Sequence, residues 1–145
     1  MKIMKSTKII SIVSLLFLAT VCKAQEVEVK NIKKVITEFS KAGDHNNSEK
    51  LDSYLDDNYR VVMNRLFGSA EVTVMPKSVY LQKIKSKEYG GDTRVLTIEN
   101  VVVNGTTASA KVTFKGTKMT FISIVILIQD LDGTWKLLCD TPIVK

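Results

Sequence analysis

The chain has 145 residues, a formal net charge of +6 and 45% hydrophobic residues. This length suits one domain, and the composition excludes collagen-like, low-complexity and disulfide-framework proteins. One His and two Cys exclude a metal site built from several His or four Cys, and the sequence implies no cofactor.

The N-terminus has the features of a secretory signal peptide. Three lysines within the first eight residues precede an apolar run over residues 9–21. This run is shorter than the roughly 20 residues needed to span a bilayer. Small residues favour cleavage after Ala24, so residues 1–24 are predicted to be the signal. Two alternatives are a lipoprotein modified at Cys22 and a buried N-terminal helix.

Cleavage would leave 121 residues, 25–145, with 17 basic and 15 acidic groups. The high basic charge therefore belongs mostly to the leader, and no basic cluster interleaved with aromatic residues remains. We expect an exported, periplasmic or secreted domain that binds no nucleic acid and keeps no stable membrane anchor.

Hydrophobic spacing in the first half predicts three helices and a pair of strands. Apolar residues at helical spacing, with lysines on the opposite face, indicate an amphipathic first helix. The predicted elements are a helix over Val27–Ala42 ending at Gly43, a short helix capped by Asn47 or Ser48, strands over Tyr59–Phe67 and Glu71–Met75, and a helix from Pro76 to about Lys87.

The second half predicts four strands in a meander. The first two are joined by Asn104-Gly105, a strong signal for a two-residue hairpin. The fold class is therefore α+β, with three helices available to cover one face of the sheet. The predicted strands are Arg94–Val103, Thr106–Lys115, Met119–Gln129 and Trp135–Val144.

The strand over Met119–Gln129 is apolar on both faces, whereas helices can cover only one. If each outer isoleucine exposes roughly 100 Å² at about 25 cal/mol per Å², burying all four is worth on the order of 10 kcal/mol. We therefore predict a homodimer formed sheet against sheet; the alternative is that the same chain covers the patch. The predicted interface residues are Ile122, Ile124, Ile126 and Ile128.

Three stretches, Ile36–Asn47, Tyr59–Gly68 and Asp132–Leu137, resemble the nuclear-transport-factor-2-like superfamily. Over residues 26–145 the chain is most similar to the exported bacterial putative lumazine-binding and SnoaL-like branch. The resemblance implies a cone-shaped, curved antiparallel or mixed sheet of about six strands around the helices, with an apolar pocket in its mouth. Many relatives are dimers. Enzymatic relatives hold an Asp or His base and Tyr or Asp donors inside the cone, but no such set matches here residue by residue.

Asp140 is the candidate catalytic residue, since it lies inside a hydrophobic strand where burial would raise its pKa. Alternation along the strand does not decide its face. If the side chains in phase with Trp135 face the interior, Asp140 points outward. His45, in a polar turn, is interpreted as a solvated loop residue, and Asp44 as a turn or capping carboxylate. Cys139 is interpreted as a small buried hydrophobe rather than a nucleophile.

Six other residues are candidate ligand contacts. Four combine an apolar body with a polar or adaptable tip, as at a pocket mouth, although each also suits the core. The other two are polar residues within an apolar strand, one of which is expected to point inward or cross an interface. The first four are Tyr54, Tyr59, Met63 and Tyr80, and the last two are Asn64 and Arg65.

The leading hypothesis for function is an exported, non-enzymatic, dimeric domain that binds a small apolar or amphipathic molecule. A second hypothesis is a cofactor-free isomerase or dehydratase that uses a pocket Asp or Tyr. A third is an interaction or structural module whose cone is filled by its own side chains. A cavity of about 300 Å³ or more with a buried carboxylate would favour the enzyme, an apolar cavity would favour binding, and the absence of a cavity would favour the third hypothesis.

Overall fold

The computed structural model describes the backbone of residues 4–145 and the side chains of residues 23–145. The predicted signal peptide therefore lies almost entirely outside the described side chains. Within the described residues, no helix combines the length and apolarity needed to cross a membrane. The elements are α1 (Met4–Asp44), α2 (Ser48–Ser53), β1 (Leu55–Asn64), β2 (Val72–Pro76), α3 (Lys77–Lys85), β3 (Val95–Asn104), β4 (Thr107–Lys115), β5 (Thr120–Gln129) and β6 (Trp135–Val144).

The predicted order of helices and strands is confirmed, but the end of α1 differs from the expectation. The helix continues through Gly43 to Asp44, and the left-handed residue that follows is Asn46, with φ 50°. Asparagine tolerates this conformation better than most residues. Its side-chain amide also donates to the carbonyls of Ile84 and Tyr89, at 3.1 and 2.6 Å. Asn47 then caps α2 by accepting from the Lys50 N–H.

The six strands form one curved, mixed sheet in the order β2-β1-β6-β5-β4-β3. All neighbours are antiparallel except β1 and β6, which run parallel and join the two halves of the chain. β1 begins at Leu55, earlier than predicted, because Leu55 pairs with Leu137 of β6. It also ends earlier, since Arg65 and Phe67 have φ values of 53° and 54°, which a strand cannot accommodate.

The helices cover one face of the sheet, here called the inner face. Ile32, Ile36 and Phe39 of α1 are buried against it, as the amphipathic spacing predicted. Strand β4 contributes alternate residues to the same core, which accounts for its regular burial pattern. These β4 residues are Ala108, Ala110, Val112 and Phe114.

The opposite, outer face of the sheet carries many apolar side chains. On β5, Ile124 is 47% exposed, and Ile122, Ile126 and Ile128 are half-buried between neighbouring strands. The helices do not reach this face, and the described chain does not enclose the isoleucines. Apolar side chains on the same face of adjoining strands extend the surface. They are Val62, Val72, Val74 and Ile143.

Candidate functional site

A β-bulge in β6 decides which side chains reach the interior. Leu137 pairs with Leu127 and Cys139 pairs with Ile126, so Leu138 is an extra residue with no partner opposite. The bulge reverses the alternation that follows. Asp140 consequently pairs with buried Val125 and shares its inner face. Trp135 also faces inward, so the expectation that Asp140 would then point outward was wrong.

The Asp140 carboxyl group lies near the centre of the sheet, on strand β6. It lies between Val61 of β1 and Val125 of β5, both buried. Asp140 as a whole residue is half-buried, whereas its Oδ1 atom is fully buried. Burial raises the pKa of Asp140 to about 6, against the opposing effects of the Ser123 hydroxyl and the Arg94 charge.

Aromatic rings from three elements form a wall of the interior. The ring centroids of Tyr59 (β1) and Tyr80 (α3) are 5.4 Å apart, and Phe39 of α1 lies 6.5 Å from each of them. Burial raises the pKa of both tyrosine hydroxyls, and the negative charge of Asp140 raises it further. Both hydroxyls therefore stay protonated at physiological pH and can donate hydrogen bonds.

A charged pair, Asp44–Arg94, connects the end of α1 to the residue that precedes β3. The Arg94 side chain donates from Nε to Asp44, and its backbone N–H donates to the same carboxylate at 3.2 Å. Arg94 Nη2 also donates to the Ser40 carbonyl at 3.1 Å, and the guanidinium lies 5.0 Å from the centre of the Phe114 ring. Asp44 is thus an ion-pair partner rather than a simple turn residue.

Four buried polar atoms have no hydrogen-bonding partner among the residues that the structure describes. They come from α1, β1, β5 and β6, and at least three lie on the inner face of the sheet. Although Ser123 lies close enough to lower the pKa of Asp140, these two residues do not form a hydrogen bond of ordinary geometry. The atoms are Ser40 Oγ, Tyr59 OH, Ser123 Oγ and Asp140 Oδ1.

The structure brings three of the six predicted ligand contacts to the same inner side as Asp140. Tyr59 is buried, Met63 is four residues further along β1 on the same face, and the Tyr80 ring lies beside the Tyr59 ring at a tilt of 52°. Tyr54 lies at the end of α2, half-buried against the core.

Asn64 and Arg65 are both exposed at the end of β1, so neither points inward. One of these two residues was expected either to point inward or to cross an interface. Only the contact across an interface stays a prediction.

His45 and Cys139 do not join this site. His45 is exposed, with Nδ1 2.7 Å from the Lys41 carbonyl, as expected for a loop residue. Cys139 is half-buried on the outer face opposite Asp140, and burial raises the pKa of its thiol, which disfavours the nucleophilic thiolate. Residues 23–145 contain no cluster of three or more acidic, His or Cys side chains suited to a metal ion.

Sequence reasoning missed Ser123 and Arg94. Ser123 had a usable signal, because it is a polar residue between Phe121, Val125 and Leu127, with which it alternates in phase inside the strand. Arg94 had none, since its carboxylate partner lies fifty residues earlier in the chain.

An open pocket of about 650 Å³ lies outside the interior, beside the start of β1 and the start of α3. Its charged side chains balance in number, two aspartates against Arg60 and Lys77. Lys77 pairs with Asp52 at 2.7 Å and with Asp57 at 3.4 Å. Tyr59 borders this pocket as well as the interior.

The curved sheet around an α1 helix, with polar groups on its inner face, defines a nuclear-transport-factor-2-like domain. Residues 27–141 match the family described as "Putative lumazine-binding", and the chain belongs to that family. No curated protein matches the sequence.

Solved structures show the same fold at low sequence identity. An NTF2-like protein of unknown function from Silicibacter pomeroyi is 12% identical, with a TM-score of 0.72 over 83% of this chain and 98% of its own. One from Shewanella baltica is 15% identical, with a TM-score of 0.71 over 81% and 94%. A ketosteroid isomerase-like protein from Erwinia carotovora atroseptica is 13% identical, with a TM-score of 0.65 over 81% and 95%.

Asp140 should make the stability of the protein depend on pH. Its pKa of about 6 lies above the ordinary 3.8, so its ionised form destabilises the fold. Between about pH 4 and pH 6 the Asp140 contribution should fall by about 3 kcal/mol and then level off, since one pKa unit equals about 1.4 kcal/mol. Relative to wild type, Asp140→Asn should therefore gain stability as the pH rises through this range.

Urea unfolding of both proteins from pH 3.5 to pH 8 measures this difference. The control is Glu99→Gln, which removes an exposed carboxylate paired with Lys111. A stability difference between wild type and Asp140→Asn that does not change with pH would contradict the assignment of a buried, titrating Asp140.

Proposed function

We propose that this domain binds a small, apolar or amphipathic molecule on the inner face of the sheet, next to Asp140. The observation that supports this most is the set of buried polar atoms without partners on Tyr59, Ser123 and Asp140. They adjoin an aromatic wall that offers apolar contact. A largely apolar site with a few convergent polar groups is the usual composition of a small-molecule site.

The energetics favour a ligand that makes hydrogen bonds. Burying a polar atom without a partner costs about 1–3 kcal/mol, so three such atoms together destabilise the domain considerably. A molecule that hydrogen-bonds to the Tyr59 hydroxyl and the Asp140 carboxylate would recover part of that cost on binding. The same polar atoms would orient the molecule within the apolar surroundings.

Binding can be tested with 1-octanol as a neutral amphipathic probe and amide chemical shifts as the readout. We expect shifts at Val61, Val125 and Asp140, which lie side by side on the inner face. Ser109 and Thr113, on the outer side of β4, should not shift. Saturable shifts confined to the outer face, or no shifts at all, would contradict an interior binding site.

A second candidate function is acid–base catalysis. The pKa of Asp140, about 6, is close to that of an effective general base at neutral pH, and the protonated Tyr59 hydroxyl could stabilise a developing oxyanion. Asp140 would take a proton from a carbon next to a carbonyl and return it to another position. With 2-octanone in D₂O, such an enzyme should incorporate deuterium next to the carbonyl, and Asp140→Asn should abolish this exchange. Absence of exchange in the wild type would reject catalysis of this kind.

The outer face supports a further proposal, that two copies of the domain pair sheet against sheet. The apolar side chains on β2, β1, β6 and β5 adjoin one another, whereas the middle of β3 and β4, between exposed Val95 and Val102, carries threonines and the Lys111–Glu99 ion pair. An apolar centre beside a polar margin is the usual composition of a protein interface. Burying Ile124, at 47% exposure, would add to the stability of such a pair.

The double variant Ile124→Lys/Ile126→Lys should convert the dimer to single subunits, because it would bring four lysines together in the apolar interface. Light scattering should give twice the subunit mass for the wild type and one subunit mass for the variant. Thr97→Lys/Thr113→Lys, a facing pair on the polar part of the same side, is the control and should stay dimeric. A variant mass equal to that of the wild type would reject this interface.

Export is proposed from the leader sequence alone. N-terminal sequencing of protein recovered from the periplasm or the medium should give Gln25 as the first residue. Recovery of an uncleaved chain from the cytoplasm would reject it.

A further inference from the structure

The charges inside the domain point to a more specific ligand, if the proposed interior binding site is correct. Three charged side chains act on Tyr80 at the inner face: Asp44, Arg94 and Asp140. A fourth, Glu28, accepts a hydrogen bond from the indole N–H of Trp135 at the start of β6. Asp44 and Arg94 neutralise each other through a direct ion pair. The guanidinium is further engaged by the Ser40 carbonyl and the Phe114 ring. This leaves the negative charge of Asp140 without a cation of its own.

Asp140 combines burial of a carboxylate oxygen with the absence of an ion pair. None of the ion pairs between the described side chains includes it, and its buried Oδ1 has no hydrogen-bond donor among them. A carboxylate buried without a cation is strongly destabilising, and a cation placed beside it offsets part of that penalty. The site therefore has more to gain from a positively charged ligand than from a neutral one.

The surrounding rings are suited to the same kind of ligand. The face of an aromatic ring carries partial negative charge and attracts a cation within about 6 Å. Tyr59, Tyr80 and Phe39 lie within 6.5 Å of one another, and the Asp140 charge acts on both tyrosines. An ammonium group near Asp140 would thus have a carboxylate on one side and aromatic rings nearby.

We infer that the interior site binds a protonated amine attached to an apolar body, with the ammonium group donating to Asp140 and the apolar body against Phe39, Tyr59 and Tyr80. A carboxylic acid of the same shape would be repelled by Asp140. A neutral alcohol would donate one hydrogen bond but would leave the charge uncompensated.

Three probes with the same eight-carbon chain separate these cases: octylamine, 1-octanol and octanoate, each below its aggregation concentration at pH 7.5. Affinities are measured by titration of the mature, exported form of the chain. We expect octylamine to bind about tenfold more tightly than 1-octanol, as a charge-assisted hydrogen bond is stronger than a neutral one. Octanoate should bind most weakly. The mature chain has more basic than acidic groups, so its overall charge does not favour the amine.

Asp140→Asn should reduce the octylamine affinity to that of 1-octanol, while 1-octanol itself still binds. Asp140→Leu, which removes the polar group, provides a second test if the Asn variant does not fold. Glu99→Gln, which deletes an exposed carboxylate, should leave the tenfold preference unchanged. Equal affinities of octylamine and 1-octanol for the wild type, or a preference that survives in the Asp140 variants, would overturn the amine assignment alone. If none of the three probes binds, the proposed interior site fails as well.

Discussion

The position of the buried Asp140 carboxyl group depends on one extra residue in the last strand, β6. Because Leu138 has no partner on β5, the side chains before and after it follow different phases of the sheet. Leu137 and Asp140, three positions apart, both reach the inner face as a result. A regular strand would have placed Asp140 on the outer face and Cys139 on the inner face, and no carboxylate would lie beside the Ser123 and Tyr59 hydroxyls. Bulges near functional sites often redirect one side chain in this manner.

The inward direction of Asp140 makes the positions of the neighbouring charged side chains important. An acidic group in the interior is tolerable only where its charge is partly offset, and Arg94 lies near enough to lower the pKa of Asp140. Arg94 is itself held by Asp44 at the end of α1. The last turn of α1 therefore connects to the interior electrostatics through one ion pair. The continuation of α1 past Gly43 to Asp44 is what positions this carboxylate.

The two faces of the sheet have separate roles in this arrangement. The inner face packs against the helices and holds three buried polar atoms that have no partner among the described residues. The outer face carries Ile122, Ile124, Ile126 and Ile128 beside apolar residues of neighbouring strands, and helices do not cover it. Asp140 and Cys139 are sequence neighbours on opposite faces of the sheet. The interior and the proposed dimer interface therefore share strand β6, and a change in its register would disturb both.

Local patterns in the sequence determined the order of the elements, the α+β class and the faces of most strands. The alternation in β4, the hairpin between β3 and β4 and the Asn47 cap all depend on interactions between residues close in sequence, so short windows contain the necessary information. The turn itself lies one residue later than predicted, at Gly105-Thr106 instead of Asn104-Gly105, because Asn104 pairs with Thr107. The doubly apolar β5 likewise showed that one of its faces would lie beyond the helices.

Tertiary structure alone decided the site. The bulge at Leu138 arises because β6 pairs with both β5 and β1. The alternation of apolar and polar residues along β6 does not predict it. The Asp44–Arg94 pair joins residues fifty positions apart, and the contact between the Tyr59 and Tyr80 rings joins a strand to a helix. The inward direction of Asp140, and with it the raised pKa, follows from register and burial. Both are properties of the assembled sheet rather than of any segment of the chain.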